Sequence, residues 1–153
     1  MRIREYSLSE ERPVYELLEI WRQSVAATHY FLSADDIDNI AGHVPRLIAQ
    51  MPCIAVLEDT AGTAVGFAGV AQNKLEMLFL HPDFRGSGHS RMLAEHLIKT
   101  REVNYVCVNE QNPAAVGFYE HLGFRVFKRD ETDEQGGPFP ILHMKLQTVV
   151  DKI

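Results

Sequence analysis

The segment from residue 74 to residue 91 constrains the fold more than any other part of the chain. An apolar run, Lys74–Leu80, has the composition of a β-strand and is ended by Pro82. A loop with two glycines, Gly86 and Gly88, then leads into a run whose apolar residues recur at helical spacing. A glycine-rich loop that follows a strand and precedes a helix indicates a candidate binding site, because such a loop can face a ligand.

The chemistry of this loop favours a phosphate group. Gly86 and Gly88 have no Cβ, so their backbone can lie against a ligand in turn geometries that other residues resist. The first N–H groups of the following helix have no partner within it and carry the positive end of its dipole, where phosphates bind. Arg85 and Arg91 flank the loop and can add charge-assisted hydrogen bonds. The alternative is an ordinary strand-to-helix turn, since neither GxxxxGK[ST] nor GxGxxG with a downstream acid is present.

The rest of the chain alternates between strand and helix patterns. Ser33 or Asp35 can cap a second helix, which Pro45 splits or kinks. Gly123 closes a later helix as its C-terminal cap. The predicted elements are a strand at 2–6, a helix from Pro13 through Val25, a second helix through Ile48, strands at Cys53–Glu58, Val65–Gln72, Lys74–Leu80 and Asn104–Val108, a helix after the glycine loop, a helix at Asn112–Leu122, and a final strand pair at Phe124–Lys128 and Ile141–Gln147. This order, βααβββαβαββ, predicts a single α/β (α+β) domain over residues 1–153 with a mixed central sheet.

The segment from Leu78 to Ser90 resembles motif A of the GNAT N-acetyltransferase superfamily, a strand ending L-x-V-x-P-x-x followed by [RQ]-x-x-G-x-[GA]. Leu80 stands where Val is usual in that motif, and Ser90 stands where Gly or Ala is usual. The resemblance implies that the backbone of Leu78, Phe79 and Leu80 pairs with the pantetheine arm of acetyl-CoA. It also implies that the pyrophosphate is held beside Arg85 by the loop amides of Gly86, Ser87, Gly88, His89, Ser90 and Arg91.

A second motif, from Asn112 to Phe124, resembles motif B of the same superfamily, N-x-x-A-x-x-[FL]-Y-x-x-x-G-F. Asn112 and Tyr119 are seven positions apart, close to two helical turns, so they share a face of the helix. The resemblance implies that Asn112 binds CoA and that the Tyr119 hydroxyl protonates the leaving thiolate. An unperturbed tyrosine has a pKa of about 10 and is a proton donor at neutral pH. The alternative is a tyrosine that only packs against the sheet.

Together the two motifs imply the GNAT fold and an enzyme that moves the acetyl group of acetyl-CoA to a primary amine. No Ser/His/Asp or Cys/His arrangement is evident, so we expect direct attack in a ternary complex, with a strand amide near Leu78 as oxyanion donor. The general base stays open. Glu76 lies two residues from Leu78 and so on the same side of the strand, His29 titrates near neutral pH, and Glu110 follows the next strand. The remaining alternative is that the general base is neither Glu76 nor His29.

The run from Trp21 to Ser33 narrows the resemblance to a bacterial subgroup of the superfamily. In the superfamily, the loop between the first two helices and the loop of the last hairpin frame the acceptor site. The acceptor-site candidates are therefore Thr28, His29, Phe31, Asp133 and Pro138. Either a small-molecule amine or a protein amine can be the acceptor, and a homodimer is one expectation because dimers are common in the superfamily. A non-catalytic domain that binds or senses acyl-CoA is the alternative function.

Charge and cysteine usage argue against several other functions. A formal net charge of −6 disfavours nucleic-acid binding, which needs a basic face. No run approaches the ~18 apolar residues of a membrane span, and the N-terminus lacks a signal-peptide core, so we expect a cytoplasmic protein without a membrane partner. Cys53 and Cys107 have neither CxxC spacing nor a nearby His, so we expect buried, inert thiols. The histidines are scattered without metal-ligand spacing, and we expect no metal.

Overall fold

The computed structural model describes residues 1–147. Its elements in chain order are β1 (Arg2–Ser7), α1 (Val14–Thr28), α2 (Ala34–Ala41), α3 (Val44–Gln50), β2 (Cys53–Glu58), β3 (Ala64–Ala71), β4 (Lys74–Leu80), α4 (His89–Arg101), β5 (Tyr105–Asn109), α5 (Pro113–His121), β6 (Phe124–Asp130) and β7 (Ile141–Leu146). A short 3₁₀ helix, Pro82–Phe84, stands between β4 and α4. Residues 148–153 of the predicted domain lie outside the described residues. Among residues 1–147, none of the helices is both long and apolar enough to span a bilayer.

The observed order, βαααβββαβαββ, confirms the predicted fold class and differs from the predicted order at one place. The second predicted helix is split into α2 and α3, with Gly42 and His43 between them. Pro45 lies in the first turn of α3, where its N–H would have no helical partner in any case. Deeper in a helix the proline ring would clash with a preceding carbonyl, so one continuous helix is excluded. Ser33 begins α2 through reciprocal hydrogen bonds with Asp36 at 3.1 and 3.0 Å.

One mixed sheet of seven strands runs through the molecule in the order β1-β2-β3-β4-β5-β7-β6. Neighbouring strands are antiparallel, except that β4 and β5 run parallel. These two strands pair over only two positions, Lys74 with Tyr105 and Leu75 with Val106. Beyond Leu75 they separate, so the sheet is split along its middle.

Among residues 1–147, the two largest apolar cores lie on opposite faces of this sheet. On one face α1, α2 and α3 pack over the fully buried Val56 and Phe67. On the other face α4 and α5 pack over Ala68 and Val106. The split between β4 and β5 therefore lies between the two helical layers and connects them.

A β-bulge interrupts β4 beside the split. The register shifts between Gly69 and Val70 of β3, so Glu76 has no residue opposite it. Leu75 and Leu78 consequently pack against the same core although they are three residues apart. The simple alternation that placed Glu76 on the side of Leu78 does not hold across this bulge.

Candidate active site

The split between β4 and β5 opens a cleft of about 350 Å³. It is lined by both strands, by the C-terminal end of α1, by the glycine loop and by α5. Most of the predicted site residues meet here: His29, Glu76, Leu78, Phe79, Leu80, Arg85, Ser90, Asn112 and Tyr119. Segments far apart in the sequence come together because the sheet opens between them.

The edge of β4 that faces the cleft offers backbone groups to a ligand. Leu78, Phe79 and Leu80 pair with β3 along one edge of the strand. Along the other edge β5 has already turned away, because its pairing with β4 ends at Leu75. An extended chain can add to such an edge as a further strand.

A second cavity, of about 460 Å³, continues from the cleft to the start of α4. It shares Leu80, Arg85 and Ser90 with the cleft and adds Gly86 and Gly88. Both glycines have a positive φ, of 74° and 82°, and a Cβ at either would meet no atom within 4 Å. Since Gly88 is the N-cap of α4, the unpaired N–H groups of the first turn lie at this cavity. This geometry can hold an anion.

Three side chains of the glycine loop are engaged locally. The Ser87 hydroxyl lies 2.6 Å from His89 Nδ1. Arg91 pairs with Glu95, one turn further along α4. The backbone amides, together with Arg85, which lines both cavities, are therefore the groups best placed for a phosphate.

The helix α5 presents Asn112 and Tyr119 to the cleft. Asn112 is buried at the helix start, where its Oδ1 accepts a hydrogen bond from the Ala115 N–H at 3.3 Å. The Tyr119 ring packs edge-on against Phe118 and Phe124. Burial raises the pKa of the Tyr119 hydroxyl, so it keeps its proton throughout the physiological range and can donate a hydrogen bond.

His29 ends α1 and reaches the cleft from the other helical layer. Its Nδ1 lies 2.8 Å from the Thr28 hydroxyl, which itself donates to the Ser24 carbonyl at 2.8 Å. Because that hydroxyl has only one proton, it accepts from Nδ1–H, and the lone pair of the neutral ring lies on Nε2. Burial lowers the pKa of His29, so the ring is neutral near pH 7. A general base needs this protonation state.

The loop between β6 and β7 packs against the segment that carries His29. Phe139 packs against Phe31 at a ring-centroid distance of 5.7 Å, and Phe31 packs against His29 at 5.3 Å. Glu134 of the same loop approaches the Lys74 ammonium to 3.9 Å. The two loops that were predicted to frame an acceptor site are therefore in contact.

The other acceptor-site candidates have different positions. Thr28 lines the cleft and orients His29. Asp133 accepts hydrogen bonds from two backbone N–H groups of its own loop, at 3.0 and 2.7 Å, and so sets the shape of that loop. Phe31, Asp133 and Pro138 are not among the described residues that line the cleft.

Two of the three candidate bases are paired with cations. The Glu76 carboxylate lines the cleft and lies 2.9 Å from the Lys74 ammonium. Glu110 accepts two hydrogen bonds from Arg129, at 2.6 and 3.0 Å, and this pairing lowers the pKa of Glu110. Among these three candidates, His29 is the one that brings an uncharged ring with an available lone pair to the cleft.

Sequence reasoning missed a hydrogen-bonded group of side chains on the last three strands of the sheet. Cys107 is half-buried rather than buried, and its sulfur lies 3.3 Å from His143 Nδ1. His143 Nε2 in turn lies 2.7 Å from the Asp130 carboxylate. Two expectations are wrong for Cys107, that of a buried thiol without a nearby histidine and that of no Cys/His arrangement, whereas Cys53 is buried as predicted. Cys107 stands opposite His143 in the pairing of β5 with β7, a long-range register that no spacing in the sequence reveals.

Comparisons with known proteins show the family and agree with the fold. The chain matches the family described as "Acetyltransferase (GNAT) domain" over residues 5–148. It is 39% identical over 129 residues to the peptidyl-lysine N-acetyltransferase YjaB of Escherichia coli (strain K12), covering 84% of this chain and 87% of that protein. The solution structure of apo-form YjaB from Escherichia coli matches with a TM-score of 0.83 at 37% identity, covering 94% of this chain and 95% of that one. A PaiA N-acetyltransferase from Thermoplasma acidophilum, in complex with coenzyme A, shares the fold with a TM-score of 0.59 at 22% identity, covering 95% and 99%.

Proposed function

The chain belongs to the GNAT acetyltransferase family, and from this membership we propose that it moves the acetyl group of acetyl-CoA to the side-chain amine of a protein lysine. The amine attacks the thioester directly, in a ternary complex. The observation that carries the proposal is the free edge of β4, which leads from the cleft to Gly86 and Gly88 at the start of α4. An extended molecule with amides in its arm and a pyrophosphate further along fits this path.

The co-substrate is held chiefly by backbone groups. The strand Leu78–Leu80 pairs with the amides of the pantetheine arm, as it would with another strand. The amides of Gly86–Arg91 and the Arg85 guanidinium bind the pyrophosphate. Asn112, whose Oδ1 is used for the helix cap, offers its side-chain N–H groups to the arm.

Three groups then serve the chemistry. His29 takes a proton from the attacking amine through Nε2, in line with its lowered pKa and its cleft position. A backbone N–H near Leu78 stabilises the negative charge that develops on the thioester oxygen. The Tyr119 hydroxyl donates to the sulfur as the carbon–sulfur bond breaks. Because burial raises the pKa of Tyr119, its hydroxyl keeps its proton at neutral pH and is available for this donation.

A lysine acceptor is supported by the charges on the acceptor side. The strand end and loop after β6 carry four acidic residues within five positions, Asp130, Glu131, Asp133 and Glu134. Three of these carboxylates lie within 4 Å of a cation of the same chain, Asp130 of Lys128, Glu131 of Arg129 and Glu134 of Lys74. The four carboxylates outnumber these three cations, and the remaining negative charge attracts an ammonium group. The name of the Escherichia coli relative, a peptidyl-lysine N-acetyltransferase, points to the same class of acceptor.

A panel of amines with acetyl-CoA, followed by release of free CoA thiol, tests the acceptor. The panel contains a lysine peptide with a blocked N-terminus, a peptide with a free N-terminus and no lysine, and a set of polyamines. We expect the lysine peptide to be turned over with the highest kcat/KM. Turnover of the small amines alone would contradict the lysine acceptor, and tight acetyl-CoA binding without turnover on any amine would favour a sensing role.

Initial-rate kinetics test the direct attack. When both substrates must be bound together, double-reciprocal plots at several fixed acceptor concentrations intersect. Parallel lines would indicate an acyl-enzyme on the path to the amine and would contradict the ternary complex.

We also propose that the chain acts as one domain over residues 1–153 in the cytoplasm, without a nucleic-acid or membrane partner. The formal net charge of −6 supports the exclusion of nucleic acid, because phosphate binding of that kind needs a basic face. A homodimer stays a prediction, which sedimentation equilibrium tests.

A further inference from the structure

Cys107 stands in an arrangement that the proposed reaction does not use. Its sulfur lies 3.3 Å from His143 Nδ1, and His143 Nε2 lies 2.7 Å from the Asp130 carboxylate. The side chains come from the neighbouring strands β5, β7 and β6, so the sheet holds their spacing. The His143 side chain is only 13% exposed, whereas Cys107 lines the cleft. The arrangement therefore has the parts of an activated thiol, namely a nucleophile, a base within hydrogen-bonding reach and a carboxylate that orients the base.

The hydrogen bonds indicate which nitrogen of His143 accepts a proton. The Asp130 carboxylate accepts from Nε2–H, so the lone pair of the neutral ring lies on Nδ1. Nδ1 faces both the Cys107 thiol and the Tyr105 hydroxyl, which also donates to it.

We propose that Cys107 is itself an acetyl acceptor, and that the protein acetylates this thiol with acetyl-CoA when no amine is bound. The inference rests on the proposed function, because Cys107 lines the cleft that is assigned to the thioester. The bond between the acetyl carbon and the CoA sulfur breaks, and a bond from that carbon to the Cys107 sulfur forms. The thiol proton passes to His143 Nδ1 and then to the CoA thiolate. One thioester is exchanged for another, so the step needs no oxidant, reductant or further reactant, and added CoA reverses it.

Substitution of Tyr105 tests this inference, because the inference predicts the direction in which the rate of Cys107 acetylation changes. The Tyr105 hydroxyl donates to His143 Nδ1 and lies 3.7 Å from the Cys107 sulfur, whose thiol can donate to either group. The hydroxyl therefore competes with the thiol for the single lone pair on Nδ1. Removal of the hydroxyl leaves the lone pair to the thiol alone. Tyr105→Phe should therefore acetylate Cys107 faster than the unchanged protein, an effect that a purely structural role of Tyr105 would not produce.

The experiment incubates the full chain with acetyl-CoA in the absence of any amine, quenches in acid and locates acetyl groups by peptide mass mapping. We expect one acetyl group on Cys107, removed by neutral hydroxylamine, which cleaves thioesters and spares amides. His143→Gln should slow its formation by roughly 10²-fold or more, since general-base catalysis contributes at least that factor. Asp130→Asn should slow it by less, and Tyr105→Phe should speed it. Cys53→Ala, which removes the buried thiol of β2, is the matched control and should leave the rate unchanged.

A lysine-peptide assay run in parallel separates this inference from the proposed function. A second donor, p-nitrophenyl acetate, acetylates an activated thiol without a CoA site. If acetyl-CoA does not acetylate Cys107, the inference is overturned whether or not the peptide is acetylated. Acetylation by p-nitrophenyl acetate alone would then show a reactive thiol that the bound co-substrate does not reach. Acetylation that does not respond to the His143 and Tyr105 variants also overturns it. Acetyl-Cys107 without peptide turnover would support the inference and contradict the lysine acceptor.

Discussion

The two sides of the cleft are formed by different kinds of chemical group. The proposed cofactor side consists of the β4 edge, the glycine loop and the first two turns of α5, which are two continuous segments of chain. It offers mainly backbone groups. The acceptor side consists of side chains from distant segments, among them His29, Glu76, Cys107 and Phe139, held by hydrogen bonds and ring contacts. We infer that the first side depends on backbone conformation and the second on the identity of individual side chains.

The largest expected effect tests the one side chain of the cofactor side that takes part in the chemistry. Tyr119→Phe removes the hydroxyl that serves the leaving sulfur and should lower kcat by roughly 10²–10⁴-fold. The affinity for acetyl-CoA, measured by calorimetry, should change little. Tyr6→Phe, at a buried tyrosine of β1, is the control. An unchanged kcat would show that the cofactor side binds acetyl-CoA but takes no part in the chemistry.

The next effect concerns the proposed base on the acceptor side. His29→Gln should lower kcat/KM by roughly 10²-fold. Because burial lowers the pKa of His29 below its usual value of about 6.5, the active neutral form is complete above that value and is lost as the pH falls through the lowered pKa. A break in log kcat/KM below about pH 6.5 is therefore expected and should disappear in His29→Gln. The control is His43→Gln, at an exposed position between α2 and α3. If the break persists in His29→Gln, the ionisation that causes it belongs to another group.

The third effect tests the dependence of the cofactor side on backbone conformation. Gly88→Val places a β-branched residue at a φ of 82°, and strain of about 1–3 kcal/mol should weaken acetyl-CoA binding by roughly 10-fold or more. Gly62→Val is closely matched, because Gly62 also has a φ of 82° with no atom within 4 Å of a Cβ, but it lies in the turn between β2 and β3. The control should lose stability and keep its affinity. Equal affinities in the two variants would place the phosphates elsewhere.

The smallest effect tests the contact between the two loops of the acceptor side. Phe139→Ala removes a ring pair worth about 0.5–1.5 kcal/mol and should raise the KM for the lysine peptide roughly 2- to 10-fold. The KM for acetyl-CoA should stay the same. Tyr30→Ala, at a residue that is 81% exposed beside Phe31, is the control. A change in the KM for acetyl-CoA instead would show that the two sides of the cleft are not independent.

The cofactor side could be predicted from the sequence because its signals are local. Strand, turn and helix patterns in one continuous segment specify the conformations of Gly86 and Gly88, and helical spacing alone places Asn112 and Tyr119 on one face. The roles assigned to these residues stay predictions. The local pattern also predicted that Pro45 would interrupt the second helix.

The acceptor side could not be predicted in the same way. The Cys107–His143 contact depends on the register between β5 and β7, which is set by packing and by the length of the connecting chain. The side of β4 on which Glu76 lies depends on a bulge that leaves no mark in the apolar pattern. Sequence periodicity describes one element at a time, whereas this part of the cleft is formed between elements.

The narrow junction between β4 and β5 also affects how the protein unfolds. With only two residue pairs across the junction, the backbone ladder is almost interrupted between the strands β1–β4 and the strands β5–β7. Co-substrate bound along β4 would protect amides there from hydrogen exchange and would stabilise the native state by about 2.7 kcal/mol at a concentration 100-fold above its Kd. The supply of acetyl-CoA in the cell would then raise the stability of the folded protein as well as its rate of turnover.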